Sequence, residues 1–185
     1  MDADPGDQSR VSQLSQAIDL AKLELGAQVH IELDPLRAYS RNAGGQPYAE
    51  RSVTLGLLRH EGEWGLLWYS KPVLCEDSPT RLLAHREIDS EFPHTSTVDQ
   101  FFDVSTFEAY RDLGRHNARL IKDGRQALAR ALDRSQGDQK PVSVPDGPGD
   151  WAVREFLSLA NEFDWPDVLE GARNALGLTA TESPE

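Results

Sequence analysis

The segment from Ser105 to Arg134 reads as one long helix whose charge runs against that of the chain around it. It holds seven Lys/Arg and four Asp/Glu, a net of +3, while the whole chain sums to −12, which leaves −15 for everything else. Ser105 and Glu108 match the S-x-x-E capping box that opens a helix. At about 100° per residue, Tyr110, Asn117, Ile121, Gly124 and Leu128 fall on one side. Arg111, Arg115, Arg119 and Lys122 fall on the opposite side. Such a helix has to lay one side on a core and turn a cationic stripe away from it. Gly114 and Gly124 weaken helix propensity but suit a close contact between this helix and a sheet.

The core it needs is written upstream. Ser9 to Leu25 reads as an amphipathic helix with Val11, Leu14, Ile18, Ala21 and Leu25 in one stripe and Gly26 as its stop. Gln28 to Leu33 alternates, with Val29, Ile31 and Leu33 on one face and His30 and Glu32 on the other. Arg51 to His60 and Trp64 to Ser70 form a hairpin around Glu61-Gly62-Glu63. Val53, Leu55 and Leu57 share a face with Trp64, Leu66 and Trp68. Gly56 and Gly65, on the other parity, suggest close packing on the sheet backbone. Arg41 to Pro47 reads as a loop and Val73 to Cys75 as a short edge strand. Ser78 and Pro79 read as the N-cap and first position of a helix that carries Leu82, Leu83, Ile88 and Phe92 and stops before Pro93. A helical turn is expected around Val98 to Phe102.

Beyond the long helix, Trp151 to Phe163 reads as an amphipathic helix, and Asp164 and Pro166 restart a second one that Gly177 stops. The predicted fold class is α+β. Its sheet is antiparallel and three-stranded, or four-stranded if Val73 to Cys75 joins it, packed on one face by helices, with a C-terminal helical hairpin. The expected organisation is a disordered tail over 1–8, an α+β domain over 9–134, a linker over 135–149, a helical hairpin over 150–178 docked on the main domain, and a disordered tail over 179–185.

Composition narrows the function. The chain of 185 residues is long enough to bury a core without staples. No run of about 18 apolar residues exists to span a membrane. The start, Met1 to Asp7, is acidic and lacks the pattern of a signal peptide. Cys75 is the sole cysteine, so no intrachain disulfide can form. These features favour a cytoplasmic protein. A net charge of −12 argues against nucleic acid as a partner. The phosphate-loop, dinucleotide, hydrolase-elbow and C-x-x-C patterns are all missing from the sequence, so no cofactor is expected.

Five groups of residues compete as sites. Arg111, Arg115, Arg119 and Lys122 suit docking of a carboxylate-rich or phosphate-bearing group. The plainer reading is local pairing with Glu108, Asp112 and Asp123, or with Glu87, Asp89 and Glu91. His85 and Asp89 stand at i, i+4 with His94 just beyond, a spacing that can share a metal ion, with His116 as a further ligand. Cys75 with His85 or His116 would make a nucleophile, but Glu76 and Asp77 beside it oppose a thiolate. Tyr69 with Leu58 and Leu67 would form a platform on an uncovered sheet face; ordinary packing is the competing account. Trp151, Phe156, Phe163 and Trp165 give the C-terminal hairpin an apolar stripe that needs a cover in cis or from another chain.

The favoured reading is a non-enzymatic cytoplasmic interaction or regulatory protein. It binds a protein partner, or itself, through the cationic helix face, the C-terminal hairpin, or both. The residues expected at the contact are Arg111, Arg115, Arg119, Lys122, Tyr69, Trp151 and Trp165. The alternative is a metal-assisted hydrolase centred on His85, Asp89 and His94. A weaker one is a phosphorylated ligand at the arginine stripe.

Overall fold

Glu61 and Gly62 both take positive φ, 51° and 89°, which sets a two-residue turn of the kind that matches strand twist. The turn joins β4 (Val53–His60) to β5 (Glu63–Ser70), so Glu63 belongs to the strand and not to the turn. The computed structural model describes residues 12–41, 47–95, 103–134, 142–144 and 146–178. Within these, β1 (Gln28–Ile31) pairs antiparallel with β4, and the three-stranded sheet runs in the order β1-β4-β5. The helices are α1 (Ser12–Leu25), α2 (Thr80–Ile88), α3 (Val104–Arg134), α4 (Asp150–Ala160) and α5 (Trp165–Leu176). The fold is α+β with helices packed on the sheet and a helical C-terminal region. No helix among the described residues is long and apolar enough to cross a membrane.

Val73 to Cys75 does not add a fourth strand; only an isolated bridge links Cys75 to Ala49. A separate two-stranded sheet forms instead from β2 (Ala38–Arg41) and β3 (Pro47–Ala49), at the two ends of the segment read as a loop. Residues 42–46 of that loop, the expected turn at Val98 to Phe102, the expected tails, the start of the first helix at Ser9 and most of the linker's first half lie outside the described residues.

The chain divides into two compact units. One comprises Met1–Ala17, Glu32–Thr54 and Tyr69–Leu120; the other Ile18–Ile31, Leu55–Trp68 and Ile121–Glu185. In the second unit, Leu55 and Leu57 of β4 meet Ala127, Leu128, Ala131 and Leu132 of α3. Val153 and Phe156 of α4 and Val168 and Ala172 of α5 close the same core, and Val142, inside the segment read as linker, is buried in it. Trp68 meets Trp151 edge to face at 6.1 Å, and Phe163 stacks between Trp64 at 4.8 Å and His30 at 4.5 Å. His30 stands opposite Leu57 and so shares its face, whereas Val29 and Ile31 oppose Leu58 and Gly56. The expected polarity of β1 is thus not realised. Both of its faces are half-buried, so apolar alternation does not decide the register.

Small residues set the approach of helices in this unit. A Cβ on Gly124 would lie 2.8 Å from the Trp151 ring, and one on Gly171 would overlap the Cβ and carbonyl oxygen of Trp64. The Gly124 contact is with a helix, α4, and not with the sheet. A Cβ on Gly56 would lie 2.9 Å from the His30 carbonyl oxygen of β1, while one on Gly65 would make only ordinary contact with the Leu58 carbonyl at 3.9 Å and Gly114 has open space, where close packing was expected at both. Helix α1 ends at Gly26 in the left-handed region, as expected, but Leu25 of its predicted inner stripe is 63% exposed.

In the first unit, Tyr48, Leu74, Leu82, Phe92, Ala109 and Leu113 form the core. Asn117 adds a buried polar knot. Ser52 Oγ donates to its Oδ1 at 2.8 Å, and its Nδ2 donates to Ser70 Oγ at 2.9 Å and to the Lys71 carbonyl at 3.3 Å. Helix α3 starts one residue before the expected capping box. Asp103 Oδ1 accepts from the Thr106 N–H at 2.7 Å and from Ser105 Oγ at 2.9 Å, so the aspartate caps and the serine does not. Those bonds, the Thr106 amide first, hold the Asp103 carboxyl below its ordinary pKa. Ser78 likewise does not cap α2. Its Oγ accepts from the Cys75 N–H, Pro79 takes the N-cap position, and the helix ends at Ile88, leaving Phe92 buried beyond it.

Two outcomes test this packing. Asn117→Ala removes three hydrogen bonds from a buried network and is expected to lower unfolding free energy by about 1–3 kcal/mol in urea titration. Gly171→Ala is expected to cost about 1–3 kcal/mol through overlap with Trp64, while Gly114→Ala gains roughly 0.5–1 kcal/mol in the same assay. Equal effects of the two glycine replacements would contradict the contact described.

Candidate interaction site

Helix α3 buries Thr106, Ala109, Leu113 and Asn117 in the first unit. The helical period then decides what the opposite arc carries. At about 100° per residue, Val104, Phe107, Arg111, Arg115 and Arg119 lie within an arc of roughly 120°. Val104 is 80% exposed and Phe107 60% exposed, and the arginines beyond them are exposed too. The face thus begins apolar and continues cationic. Beside its apolar end, Arg81, Ala84, His85 and Ile88 of α2 and Ser105, Glu108 and Ala109 of α3 line a groove of about 320 Å³. Ile88, expected in the core, is 87% exposed at its edge because α2 turns Leu82 and Arg86 inward instead. The Arg86 guanidinium sits 5.8 Å from the Tyr48 ring.

The charges along the face are partly used. Arg111 pairs with Glu108, and Arg115 reaches Asp112 at 3.6 Å, as local pairing predicts. Asp112 also pairs with Arg81 of α2, a partner outside the expected set. Arg119 and Lys122 form no ion pair among the described residues, so the expected link from Arg119 to Asp123 is not made. Glu87, Asp89 and Glu91 do not pair with the stripe either.

The metal reading is not assembled. Helix α2 stops before Asp89, whose carboxylate instead accepts from the Glu91 N–H at 3.0 Å and from Thr95 Oγ at 3.5 Å. His85 lies edge-on to Phe92 at 4.9 Å, and its Nε2 is shielded without a hydrogen-bond partner among the described residues. No group of three His, Cys, Asp or Glu side chains among the described residues, including His94, is arranged to hold a metal ion. His116 is half-buried on α3; burial lowers its pKa, Asp77 opposes that and Arg119 adds to it. Cys75 is 2% exposed, and burial, helped by Asp77, pushes its thiol up to about 12. A thiol so protonated is no nucleophile at neutral pH.

The aromatic candidates sit elsewhere. Tyr69, Leu58 and Leu67 are half-buried, so the sheet face they share is not an open platform. Trp151 is half-buried against Trp68 and Gly124, and Trp165 packs on Phe156 at 5.9 Å. In the second unit, a groove of about 520 Å³ has Glu63, Asp167 and Glu170 on its rim, and Trp64 in its wall already receives Arg59 at 5.5 Å.

The sequence reading placed the arginines on this face and did not include Arg81, Ile88, Val104 and Phe107. Val104 and Phe107 lie on the same helical arc as Arg111; Phe107 is inside the helix read from Ser105, and Val104 joins it because α3 starts one residue earlier. The chain matches no known protein family, no curated protein and no solved structure.

Cys75 supplies a pH test. The thiol titrates near 9.0 in an unfolded chain and at about 12 in the folded one. Between these values the folded state holds the extra proton, so stability falls as pH rises through that window and is unaffected below it. Denaturation at roughly pH 8 and pH 11 is expected to show this alkaline loss in the native chain and a smaller one in Cys75→Ala. An unchanged alkaline loss in the variant would assign it to other groups.

Proposed function

We propose that this chain is a non-enzymatic cytoplasmic interaction protein that captures an acidic protein segment on the exposed face of α3. The observation that carries the reading is the run of Arg111, Arg115, Arg119 and Lys122 on one exposed face, with Arg119 and Lys122 free of ion pairs among the described residues. The rest of the chain is strongly acidic, so this face is the place where a carboxylate-rich partner meets attraction and not repulsion. Guanidinium forks accept carboxylates in bidentate geometry, which favours a defined register. Each exposed pair is worth only about 0–1 kcal/mol, so affinity rests on several acting together and is sensitive to salt. The lone thiol fits a reducing cytoplasm.

A fluorescein-labelled polyglutamate peptide tests the reading by anisotropy. The native chain is expected to bind it saturably, with affinity falling as salt rises. The triple reversal Arg111→Glu, Arg115→Glu and Arg119→Glu is expected to weaken binding by roughly tenfold or more, with the circular dichroism spectrum unchanged. Absence of binding by the native chain, or equal binding by the variant, overturns the proposal.

A further inference from the structure

We infer that the groove between α2 and α3 is the anchor point of that partner, and that the partner is a short acidic segment carrying a bulky apolar side chain beside its carboxylates. The inference rests on the interaction reading and adds the apolar half of the recognition.

Three observations converge. First, Ile88, in the wall of the groove, is 87% exposed, and Val104, in the first turn of α3 where the arginine stripe begins, is 80% exposed. Clustered apolar exposure of this kind marks an interaction surface more often than scattered single residues do. Second, the surface is concave. The groove of about 320 Å³ has Ala84 and Ala109 in its walls, and His85 contributes a ring whose Nε2 is unpartnered. That volume lies at the low end of the roughly 300–1,000 Å³ of ligand pockets, suited to one or two side chains. Third, charge sets the partner's sign. Arg81 lines the groove and Arg111, Arg115 and Arg119 follow along α3, with Glu108 and Asp112 as the carboxylates that pair with them among the described residues.

The geometry also gives the occupant a polarity. From Val104 to Arg119 the helix rises about 22 Å. An extended segment of roughly seven residues spans that distance. Its apolar side chain enters near Ser105 and Ala109, and its carboxylates follow toward Arg119. A membrane surface is the less suitable occupant. Of the exposed apolar residues Ile88 lines a groove and not a flat face, Glu108 and Asp112 interrupt the stripe, and a chain of −12 is repelled by anionic lipid.

The test is selection from a phage-displayed library of random peptides on the full chain, with flotation on phosphatidylserine vesicles and light scattering coupled to size exclusion in parallel. Selected peptides are expected to combine Phe, Trp or Leu with several Asp/Glu. Ala84→Trp, which fills the groove from an exposed position, is expected to weaken a selected peptide by roughly tenfold or more while polyglutamate binding stays unchanged. Ile88→Ser is expected to weaken it as well. If polyglutamate binds but selected peptides lack an apolar residue, none is enriched, or Ala84→Trp has no effect, the groove inference fails and the wider interaction reading stands. Loss of polyglutamate binding in the native chain sinks both. Binding to vesicles in place of peptide, or a dimer that Ile88→Ser dissolves, overturns the inference in favour of a membrane or a second copy.

Discussion

The side-chain amide of Asn117 sets the rotation of α3 in the first unit. Its oxygen accepts from Ser52, just before β4, and its nitrogen donates to Ser70 and Lys71, at and just after the end of β5. A buried amide cannot be turned away from these partners without leaving polar groups unpaired, and such networks are worth more intact than in parts. Once that one position is fixed, the helical period distributes the others. Ala109 and Leu113 face the core; Val104, Phe107, Arg111 and Arg115 cannot. The cationic stripe is therefore a geometric consequence of how the helix is keyed, and not an independent decoration.

The charges on that stripe are only half spent. Glu108 and Asp112 neutralise Arg111, Arg115 and Arg81 locally, and pairs of this exposure add little stability. Asp112 also holds Arg81 beside the α2–α3 groove, while Arg119 stays exposed and outside these pairs. Apolar contact and charge then lie end to end along one helix, so a single partner segment can use both.

Much of the fold was legible because its punctuation is local. Gly26, Glu61-Gly62, Asp164 with Pro166, and Gly177 end or begin elements through their own backbone chemistry, and each does so in the structure. The arginine stripe was legible for a similar reason, since periodicity alone places it. The failures occur where two local signals compete. Asp103 and Ser105 both fit a helix start, and the aspartate wins because its carboxylate accepts from Thr106 and Ser105 together. That shift of one residue left Val104 outside the expected helix. Ile88 fits an inner position by spacing, but Arg86 takes the buried place by stacking on Tyr48. The face of β1 was misread because His30 packs among Trp64 and Phe163 as an aromatic ring would. Gly114 and Gly124 look alike in sequence, and only the arrival of Trp151 distinguishes them.

The contact of Gly171 with Trp64 reaches beyond stability. Helix α5 rests on the hairpin with no side chain between them, so the two positions are sterically bound as a pair. During divergence, a non-glycine replacement at position 64 still presents the Cβ and carbonyl that crowd position 171, so that position can grow only after the neighbouring strand has withdrawn. Distant descendants of this chain would be recognised by a glycine kept in the last helix, long after overall identity has faded.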